Sequence, residues 1–323
     1  MSEIVLVTGG AGYIGSQLIR DLAADYTVRI YDNMQRETYQ ALMNLPESGH
    51  YQFIEGDILD NSGMRRALQG VKTVIHLAAI VRTPLSFGPR GWIEQVNHWA
   101  TANLVEAAMA AGVKRFIFTS TASVYGPIDS GTSRAFRETD GCRPLGLYAE
   151  SKLRAERQLQ TLSQNHPMQT AILRLANVFG HAPAPRFDAV TNRFAYLTSV
   201  RRPLSVFGTG EQRRPVIHID DVSTAIRFTL ENIDKMDGEI YNVAGEHASI
   251  LQLVEAIKAS RPDTQVRYTE QDMLTHLSYS VDCDKINDLG WYARISIEAG
   301  LAEMINRMKG FETFSSGITD IEM

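Results

Sequence analysis

The sequence predicts an α/β protein built on a doubly wound parallel sheet, with a smaller C-terminal lobe whose segments interleave with the sheet domain. Short apolar runs alternate with longer amphipathic stretches along the first half of the chain. The runs are nearly continuous in Ile, Val, Leu and Phe, which is typical of parallel strands buried on both faces. Strands that alternate with helices favour right-handed crossovers, which place helices on both faces of the sheet.

Six apolar runs are predicted as strands and four amphipathic stretches as helices. The strands span residues 4–8, 28–32, 53–56, 73–77, 116–119 and 170–175, and the helices span 16–24, 62–68, 94–111 and 148–162. Two later runs, 216–219 and 240–243, are expected to return to the same sheet. On this basis residues 1–180 and 215–246 form the sheet domain, and residues 181–214 and 247–323 form the smaller lobe.

Bulk composition excludes several classes of protein. The 323 residues include 32 basic and 37 acidic side chains, a net charge of −5, which is unlike the basic footprint of a nucleic-acid-binding protein. Two cysteines imply no disulfide framework, and no apolar run reaches the length of a membrane span. We therefore expect a soluble cytoplasmic protein with no metal, nucleic-acid or membrane partner.

Three glycines, Gly9, Gly12 and Gly15, follow the first predicted strand and open the first predicted helix. A glycine at a strand end usually marks a turn and nothing more. In this position, however, three small residues let backbone N–H groups approach a pyrophosphate at the positive end of the helix dipole. The stretch therefore predicts a dinucleotide site.

Asp32 ends the second predicted strand, in "TVRIYDN". A carboxylate there accepts hydrogen bonds from the adenosine ribose hydroxyls and repels a 2′-phosphate, which favours NAD over NADP. The alternative is a solvated turn residue, and the glycine fingerprint before it makes that interpretation the weaker one.

Tyr148 and Lys152 lie four residues apart in "LYAESK", on one face of a predicted helix. Such a pair is common on any helix, and the dinucleotide site upstream gives it a specific chemistry. A phenol with a pKa of about 10 is a poor base at neutral pH. A neighbouring ammonium and the positive nicotinamide stabilise the phenolate, which can then take a proton from an alcohol as hydride leaves.

Hydroxyl side chains follow another predicted strand, in "FIFTSTASVYG". Thr121 and Ser123 lie just past the strand end, where open α/β sheets bind ligands, so either can hydrogen-bond a reacting oxygen. The alternative is a plain Ser/Thr-rich turn.

Taken together, the motifs resemble the extended short-chain dehydrogenases/reductases with a Rossmann fold, and more narrowly the NAD-dependent epimerase/dehydratase family acting on sugar nucleotides. They occur in the family's order: "TGGAGYIG", "YDN", "GDI", "HLAA", "STASVYG", Tyr-x-x-x-Lys, "RLANVFG" and "GTGEQRRPVIHIDDV". The resemblance reaches "INDLGW" near the C-terminus and covers nearly the whole chain.

The resemblance implies a set of cofactor-binding residues. Tyr148 and Lys152 belong to this set, with Lys152 on the nicotinamide ribose. The others are Gly9, Gly12, Tyr13, Ile14 and Gly15 at the pyrophosphate, Asp32 and Asn33 at the adenosine ribose, Asp57 and Ile58 beside the adenine, and Leu77, Ala78 and Ala79 under the cofactor.

It also implies catalytic and substrate-binding residues. Tyr148 is the base, Lys152 tunes its pKa, and Thr121 assists. Substrate is contacted by Thr121, Ser123, Asn177 and Arg214, the arginine pairing with the diphosphate through its planar fork. His218, Asp220 and Asp221 also fit the family pattern, and we interpret them as structural. Substrate choice is expected to lie in the loop "IVRTPLSFGPRGW".

Two departures from the family pattern bear on the reaction. The family's 4,6-dehydratases carry an Asp-Glu pair after the catalytic Thr, where this chain has Ala122 and Ser123, so dehydration is not expected. The Ser-Glu of decarboxylating members is absent as well. Pro215 replaces the usual aspartate after Arg214, and Arg213 doubles the arginine.

We therefore expect an NAD-dependent sugar-nucleotide epimerase that inverts C4 through a transient 4-keto sugar. One alternative is a dehydrogenase or reductase of the same fold with net hydride transfer, on a nucleotide-sugar, uronate or amino-acid substrate. Another is a non-catalytic NAD-sensing scaffold, which would not need the Tyr and Lys. By resemblance, the helices 94–111 and 148–162 are expected to form a homodimer interface, although an apolar helix face also suits plain core.

Overall fold

The computed structural model describes residues 2–81, 90–127, 134–269, 278–308 and 310. In this part of the chain, strands and helices alternate as predicted. The strands are β1 (Ile4–Thr8), β2 (Thr27–Asp32), β3 (His50–Glu55), β4 (Val71–His76), β5 (Arg115–Thr121), β6 (Gln169–Leu175), β7 (Asn177–Phe179), β8 (Leu204–Phe207), β9 (Arg213–His218), β10 (Glu239–Val243), β11 (His247–Ser249) and β12 (Val266–Thr269).

Helices connect most of these strands. They are α1 (Tyr13–Leu22), α2 (Asn61–Ala67), α3 (Arg90–Glu94), α4 (Ala100–Ala110), α5 (Leu147–Ser163), α6 (Val190–Ser199), α7 (Ile219–Glu231), α8 (Ile233–Met236), α9 (Ile250–Ser260), α10 (Asp284–Asn287) and α11 (Ile297–Arg307). A π-helical turn, Gln95–Trp99, joins α3 to α4 into one continuous helix.

Among the described residues, seven parallel strands form the central sheet, in the order β10-β6-β5-β4-β1-β2-β3. One face is covered by α1 and α7 and the other by α2, α4 and α5, so apolar clusters fill both sides. The doubly wound parallel sheet is therefore confirmed. A third apolar cluster is formed largely by α6, α9 and α11, outside the central sheet.

The return of residues 216–219 to the central sheet is the one strand prediction that is wrong. They lie in β9, which pairs with β7 and β11 in a separate three-stranded sheet. The position beside β6 is taken by β10, as predicted for 240–243, and β9 finds its partners in β7 and β11 instead. The division of the chain into a sheet domain and a lobe stays a prediction.

Asn242 on β10 ties the C-terminal segment to the central sheet. Its side chain is fully buried, accepts from the Tyr125 hydroxyl at 2.7 Å, and donates to the carbonyls of Phe136 (3.1 Å) and Asp282 (2.9 Å). Buried polar groups left without partners are costly. One amide therefore satisfies three segments that are distant in sequence.

Replacing Asn242 by alanine should lower the free energy of unfolding by about 2–4 kcal/mol, because a hydroxyl and two carbonyls lose a buried partner. Denaturant unfolding measures the loss. Asn306→Ala, at an exposed position on α11, is the control and should change stability little. Equal stability of the two variants would contradict the anchoring role.

Candidate active site

The carboxyl ends of the parallel strands bring the predicted site residues to one edge of the sheet. The glycine turn follows β1, Asp32 ends β2, and Thr121 ends β5. Leu77 to Ala79 follow β4 and are partly exposed there. Because parallel strands all end at the same edge, residues scattered over more than 100 positions converge on one cleft.

The glycine turn is shaped to approach a ligand closely. Gly9 has φ +70°, and a Cβ there would lie 2.7 Å from the backbone nitrogen of Ala78. A Cβ at Gly15 would overlap the carbonyl of Gly9. Gly12 precedes α1 and gives it no side-chain cap, so the first-turn N–H groups suit a phosphate. The cradle therefore fits a dinucleotide pyrophosphate.

Asp32 is held at the end of β2 by two backbone groups. Its Oδ2 accepts from the Ala11 N–H at 3.0 Å and its Oδ1 from the Met34 N–H at 2.9 Å. Burial raises the pKa of this carboxyl, and the two N–H groups act in the opposite direction. The carboxylate is thus fixed beside the glycine turn, where an adenosine ribose would lie.

The residues expected around the adenine are also brought together. Asn33 donates from Nδ2 to Asp57 Oδ2 at 2.9 Å, and Asp57 Oδ1 accepts from the Leu59 N–H at 2.9 Å. Ile58, which lies between Asp57 and Leu59 in the sequence, is buried. The ends of β2 and β3 therefore form one side of the cleft.

Tyr13 contributes in a way that the sequence did not reveal. Its ring is buried, and its hydroxyl donates to the Gly180 carbonyl at 2.7 Å and accepts from Asn192 Nδ2 at 3.0 Å. The Ala184 N–H donates to Ser16 Oγ at 3.1 Å on the same helix. The side chain of Tyr13 therefore anchors the 181–189 loop on the glycine turn, and its backbone is the part that suits a phosphate.

Lys152 lies one turn after Tyr148 on α5 and is 2% exposed. Its Nζ is 4.2 Å from the centroid of the Phe118 ring on β5. Burial lowers the pKa of this lysine to about 7, and the charge of Glu156 opposes that shift. The ammonium is therefore held in a nearly water-free position under the cleft.

Tyr148 faces the cleft at the start of α5 and is partly exposed. Burial among protein atoms raises its pKa to about 12, and the cation that acts against this rise is Arg186. The sequence predicted a pKa lowered by Lys152 and the nicotinamide. Desolvation of the phenolate outweighs the protein charges that act on it, so the lowering expected from Lys152 and the nicotinamide stays a prediction for the NAD-loaded enzyme.

Thr121 and Ser123 form a hydrogen-bonded pair at the end of β5. Thr121 Oγ1 is 2.9 Å from Ser123 Oγ and accepts from the Ser123 N–H at 3.2 Å. Between them, Ala122 is 0% exposed and belongs to the core. The position after the threonine is thus filled by a buried apolar side chain, which can act neither as an acid nor as a base.

Arg214 and Asn177 meet at a residue that the sequence analysis missed, Tyr279. The Arg214 guanidinium lies 5.3 Å from the Tyr279 ring centroid. Burial raises the pKa of Tyr279, while the Arg214 charge and hydrogen bonds to Asn177 and Arg214 lower it. Asn177 also donates to the Pro215 carbonyl at 3.1 Å. The next residue back, Arg213, is exposed and donates to the His247 carbonyl.

Arg186 is a second residue that the sequence analysis missed. It lies in the loop after β7 and binds Asp188 through Nε (2.6 Å) and Nη2 (3.0 Å). Its charge acts on both Tyr148 and Tyr13. The Arg-x-Asp spacing was a signal for the ion pair, but no local pattern indicated that this loop returns to the cleft.

The structural interpretation of His218 and the two aspartates agrees with their contacts. His218 Nδ1 accepts from the Asp220 N–H at 3.3 Å and so caps α7. Asp221 accepts from the backbone N–H groups of Arg294 and Ile295, each at 3.0 Å. Most of the loop expected to set substrate choice, residues 82–89, lies outside the described residues.

The described residues contain no group of three or more His, Cys, Asp or Glu side chains placed to hold a metal ion. No helix in the same ranges has the length and apolar character that crossing a bilayer requires.

Comparison with known proteins identifies the family. The model of the NAD dependent epimerase/dehydratase family matches residues 5–244. The chain belongs to this family. NAD is accordingly its cofactor, and the glycine turn, Asp32 and the α5 pair are the residues of this chain that fit it.

Relatives within the family catalyse different reactions. dTDP-D-glucose 4,6-dehydratase of Mus musculus is 32% identical over 316 residues, covering 93% of this chain and 87% of that protein. A mutant UDP-glucuronic acid 4-epimerase of Bacillus cereus, solved with UDP-4-deoxy-4-fluoro-glucuronic acid and NAD, is 28% identical with a TM-score of 0.86, covering 95% and 99% of the two chains. dTDP-glucose 4,6-dehydratase of Streptomyces venezuelae, solved with NAD, is 28% identical with a TM-score of 0.82, covering 94% and 96%.

Asp32 should make the protein bind NAD at least about 100-fold more tightly than NADP, because a fixed carboxylate beside a 2′-phosphate costs several kcal/mol. In Asp32→Asn, which removes the charge and keeps the shape, the ratio of NAD affinity to NADP affinity should fall at least about tenfold. Calorimetry of both cofactors measures it. The control is Glu55→Gln. Glu55 is an exposed carboxylate on β3, opposite Asp32 in the strand register. An equal change in the NAD-to-NADP affinity ratio in this variant would contradict the role given to Asp32.

Proposed function

We propose that this protein is a sugar-nucleotide epimerase that inverts C4 through a transient 4-keto sugar. The observation that carries the proposal is the buried, apolar Ala122 next to Thr121. A dehydration needs an acid that reaches the leaving hydroxyl, and Ala122 is both uncharged and fully buried. Among the described residues, the ionisable groups that act on Tyr148 are Arg186 and Tyr279, and neither is a carboxylate.

Each step has a residue of this chain in a fitting position. Tyr148 takes the proton of the sugar hydroxyl and later returns it, while Thr121 hydrogen-bonds the same oxygen. Lys152 is placed to hold the nicotinamide ribose, and in the NAD-loaded enzyme its charge, together with that of the nicotinamide, would favour the phenolate. NAD, when bound, supplies the hydride acceptor and donor. Inversion then requires the keto sugar to turn over within the cleft before hydride returns to its other face.

The substrate side of the cleft suits a diphosphate and an acidic sugar. Arg214, oriented by Tyr279, offers a planar fork to phosphate oxygens, and Asn177 lies beside it. Arg186, although paired with Asp188, still acts as a positive charge on Tyr148, where the sugar would react. A sugar carboxylate would complement that charge, so a UDP-uronate is the substrate to test first. The structural relative from Bacillus cereus, a UDP-glucuronic acid 4-epimerase, supports this choice.

Net hydride transfer is the second candidate reaction, because the same Tyr, Lys and Thr serve a dehydrogenase that releases its keto product. Dehydration is the reaction of the curated relative at 32% identity, and the Ala122 position argues against it.

We also propose a homodimer through α4 and α5, which pack against each other. Trp99, 57% exposed at the junction of the π-helical turn and α4, gives this surface an aromatic residue.

The deciding experiment incubates the NAD-loaded enzyme with UDP-glucuronic acid and with other UDP- and dTDP-sugars. NMR and mass spectrometry of the products, with NADH absorbance, separate the three reactions. A C4 epimer of unchanged mass without NADH supports the proposal. Loss of water identifies a dehydratase, and stoichiometric NADH identifies a dehydrogenase, and either result overturns it.

Tyr148→Phe should lower kcat by at least about 10²–10⁴-fold, because it removes the proton acceptor and keeps the ring. NAD binding should survive. Wild-type kcat should rise with pH as the phenol ionises, since the phenolate is the active form. Burial raises the pKa of Tyr148 to about 12, and the positive charge of bound nicotinamide should bring it lower. Tyr292→Phe, at an exposed tyrosine, is the control. Near-normal turnover by Tyr148→Phe would exclude it as the base.

Arg214→Ala should weaken nucleotide-sugar binding by about 2–5 kcal/mol, because a charge-assisted pair with the diphosphate is lost. NAD affinity should hardly change, since Arg214 lies on β9, outside the central sheet. Arg213→Ala is a matched control, because its side chain is exposed and turned to His247. Calorimetry with the UDP-sugar and with NAD tests both expectations. Loss of NAD affinity with intact sugar binding would show that Arg214 is misplaced.

A further inference from the structure

A buried carboxylate, Glu156, lies on α5 below the pair proposed to catalyse the reaction. Tyr148, Lys152 and Glu156 are spaced four residues apart, so they follow one another along one face of the helix. Glu156 is 1% exposed. Burying a charge is costly unless it is paired and hydrogen-bonded, so this position calls for an explanation.

Two strands, β5 and β6, meet the helix α5 at this carboxylate. Arg174 on β6 donates from Nε to Oε1 (3.1 Å) and Oε2 (3.2 Å), and from Nη2 to Oε2 (2.7 Å). Ser120 on β5 donates a further hydrogen bond to Oε1. Because Ser120 directly precedes Thr121, Glu156 joins the strand that carries the threonine to the helix that carries the tyrosine.

The groups around Lys152 show how Glu156 affects the charge of the lysine. The described groups that act on the ammonium are the Phe118 ring on β5, His76 on β4 and Glu156 on α5 itself. Burial lowers the pKa of His76 to about 3, so that ring is neutral and hydrogen-bonded to Thr8 and Thr101. Glu156 is therefore the negative charge in this set, and it opposes the loss of the Lys152 proton caused by burial.

We propose that Glu156 is a positioning residue that acts through Lys152: fixed by the Arg174 fork and by Ser120, it keeps the buried ammonium charged one turn below Tyr148. The consequence for the reaction rests on the proposed function, in which the ammonium favours the Tyr148 phenolate. The effect on Lys152 itself does not depend on that function.

The sign of the effect separates this role from a simpler one. If Glu156 acted directly on the phenol, removing its negative charge would make Tyr148 ionise more easily. If it acts through Lys152, removing it lets Lys152 lose its proton near neutral pH, and Tyr148 then ionises less easily. A residue that serves only to hold α5 against the sheet would change stability and move neither titration.

The first test titrates Lys152 in the NAD-loaded protein by NMR of lysines labelled at Cε, with the signal assigned through Lys152→Met. In Glu156→Gln, the Lys152 titration should move down by about one pH unit or more. Glu150→Gln, a partly exposed carboxylate on the same helix, should leave it in place. An unmoved Lys152 titration in Glu156→Gln would overturn the proposal, whatever the enzyme does with sugars.

The second test follows kcat against pH. In Glu156→Gln the rising limb should move to higher pH by about one unit, so that kcat at pH 7 falls about tenfold. A move to lower pH would assign Glu156 a direct action on Tyr148 and overturn the relay. If the wild type turns over no sugar nucleotide, the proposed function fails, while the lysine titration still decides the role of Glu156.

A second variant guards against a folding defect. If Glu156→Gln does not fold, the double variant Glu156→Gln/Arg174→Gln replaces the buried ion pair with two neutral amides, which avoids leaving Arg174 without its counter-charge. The Lys152 titration should again move down, and an unmoved titration again overturns the proposal. Ser120→Ala removes a hydrogen bond and no charge, so Lys152 should titrate as in the wild type.

Discussion

The parallel direction of the central strands is the constraint on which the site depends. The seven parallel strands described above end at one edge, where the residues at or just after the ends of β1 to β5 form the cleft. At this edge the backbones come so close that Gly9 has no room for a side chain next to Ala78. The shape of the phosphate cradle therefore depends directly on how closely the glycine turn packs against the end of β4.

The second half of the chain completes the cleft through a few buried polar anchors. Tyr13 holds the 181–189 loop on the glycine turn, and Asn242 holds the segment around Asp282 on β10. These anchors bring Arg186 and Tyr279 toward Tyr148, although they are 38 and 131 residues later in the chain. The geometry of a site assembled in this way depends on these buried hydrogen bonds staying intact.

Local patterns were enough to predict the central sheet, the dinucleotide turn and the α5 pair, because each depends on spacing within one strand or helix. Residues 216–219 were misassigned because an apolar run does not say which sheet edge is free, and β10 takes the edge beside β6. Arg186 and Tyr279 were missed because their neighbours come from distant segments. The raised pKa of Tyr148 was also beyond the sequence, since it reflects how many atoms surround the phenol.

The π-helical turn between α3 and α4 makes the contacts of this continuous helix sensitive to the insertion or deletion of a residue. Asn97 in that turn bonds both backbone groups of Ile80, at 2.8 and 3.0 Å, and donates to Ser151 on α5, whose hydroxyl in turn bonds the Tyr148 carbonyl. A π turn holds one residue more than an α turn. Deleting one residue upstream would rotate the rest of the helix by about 100° and carry Asn97 away from Ile80. Natural variation in this helix should therefore take the form of substitutions, with insertions and deletions confined to the loops on either side.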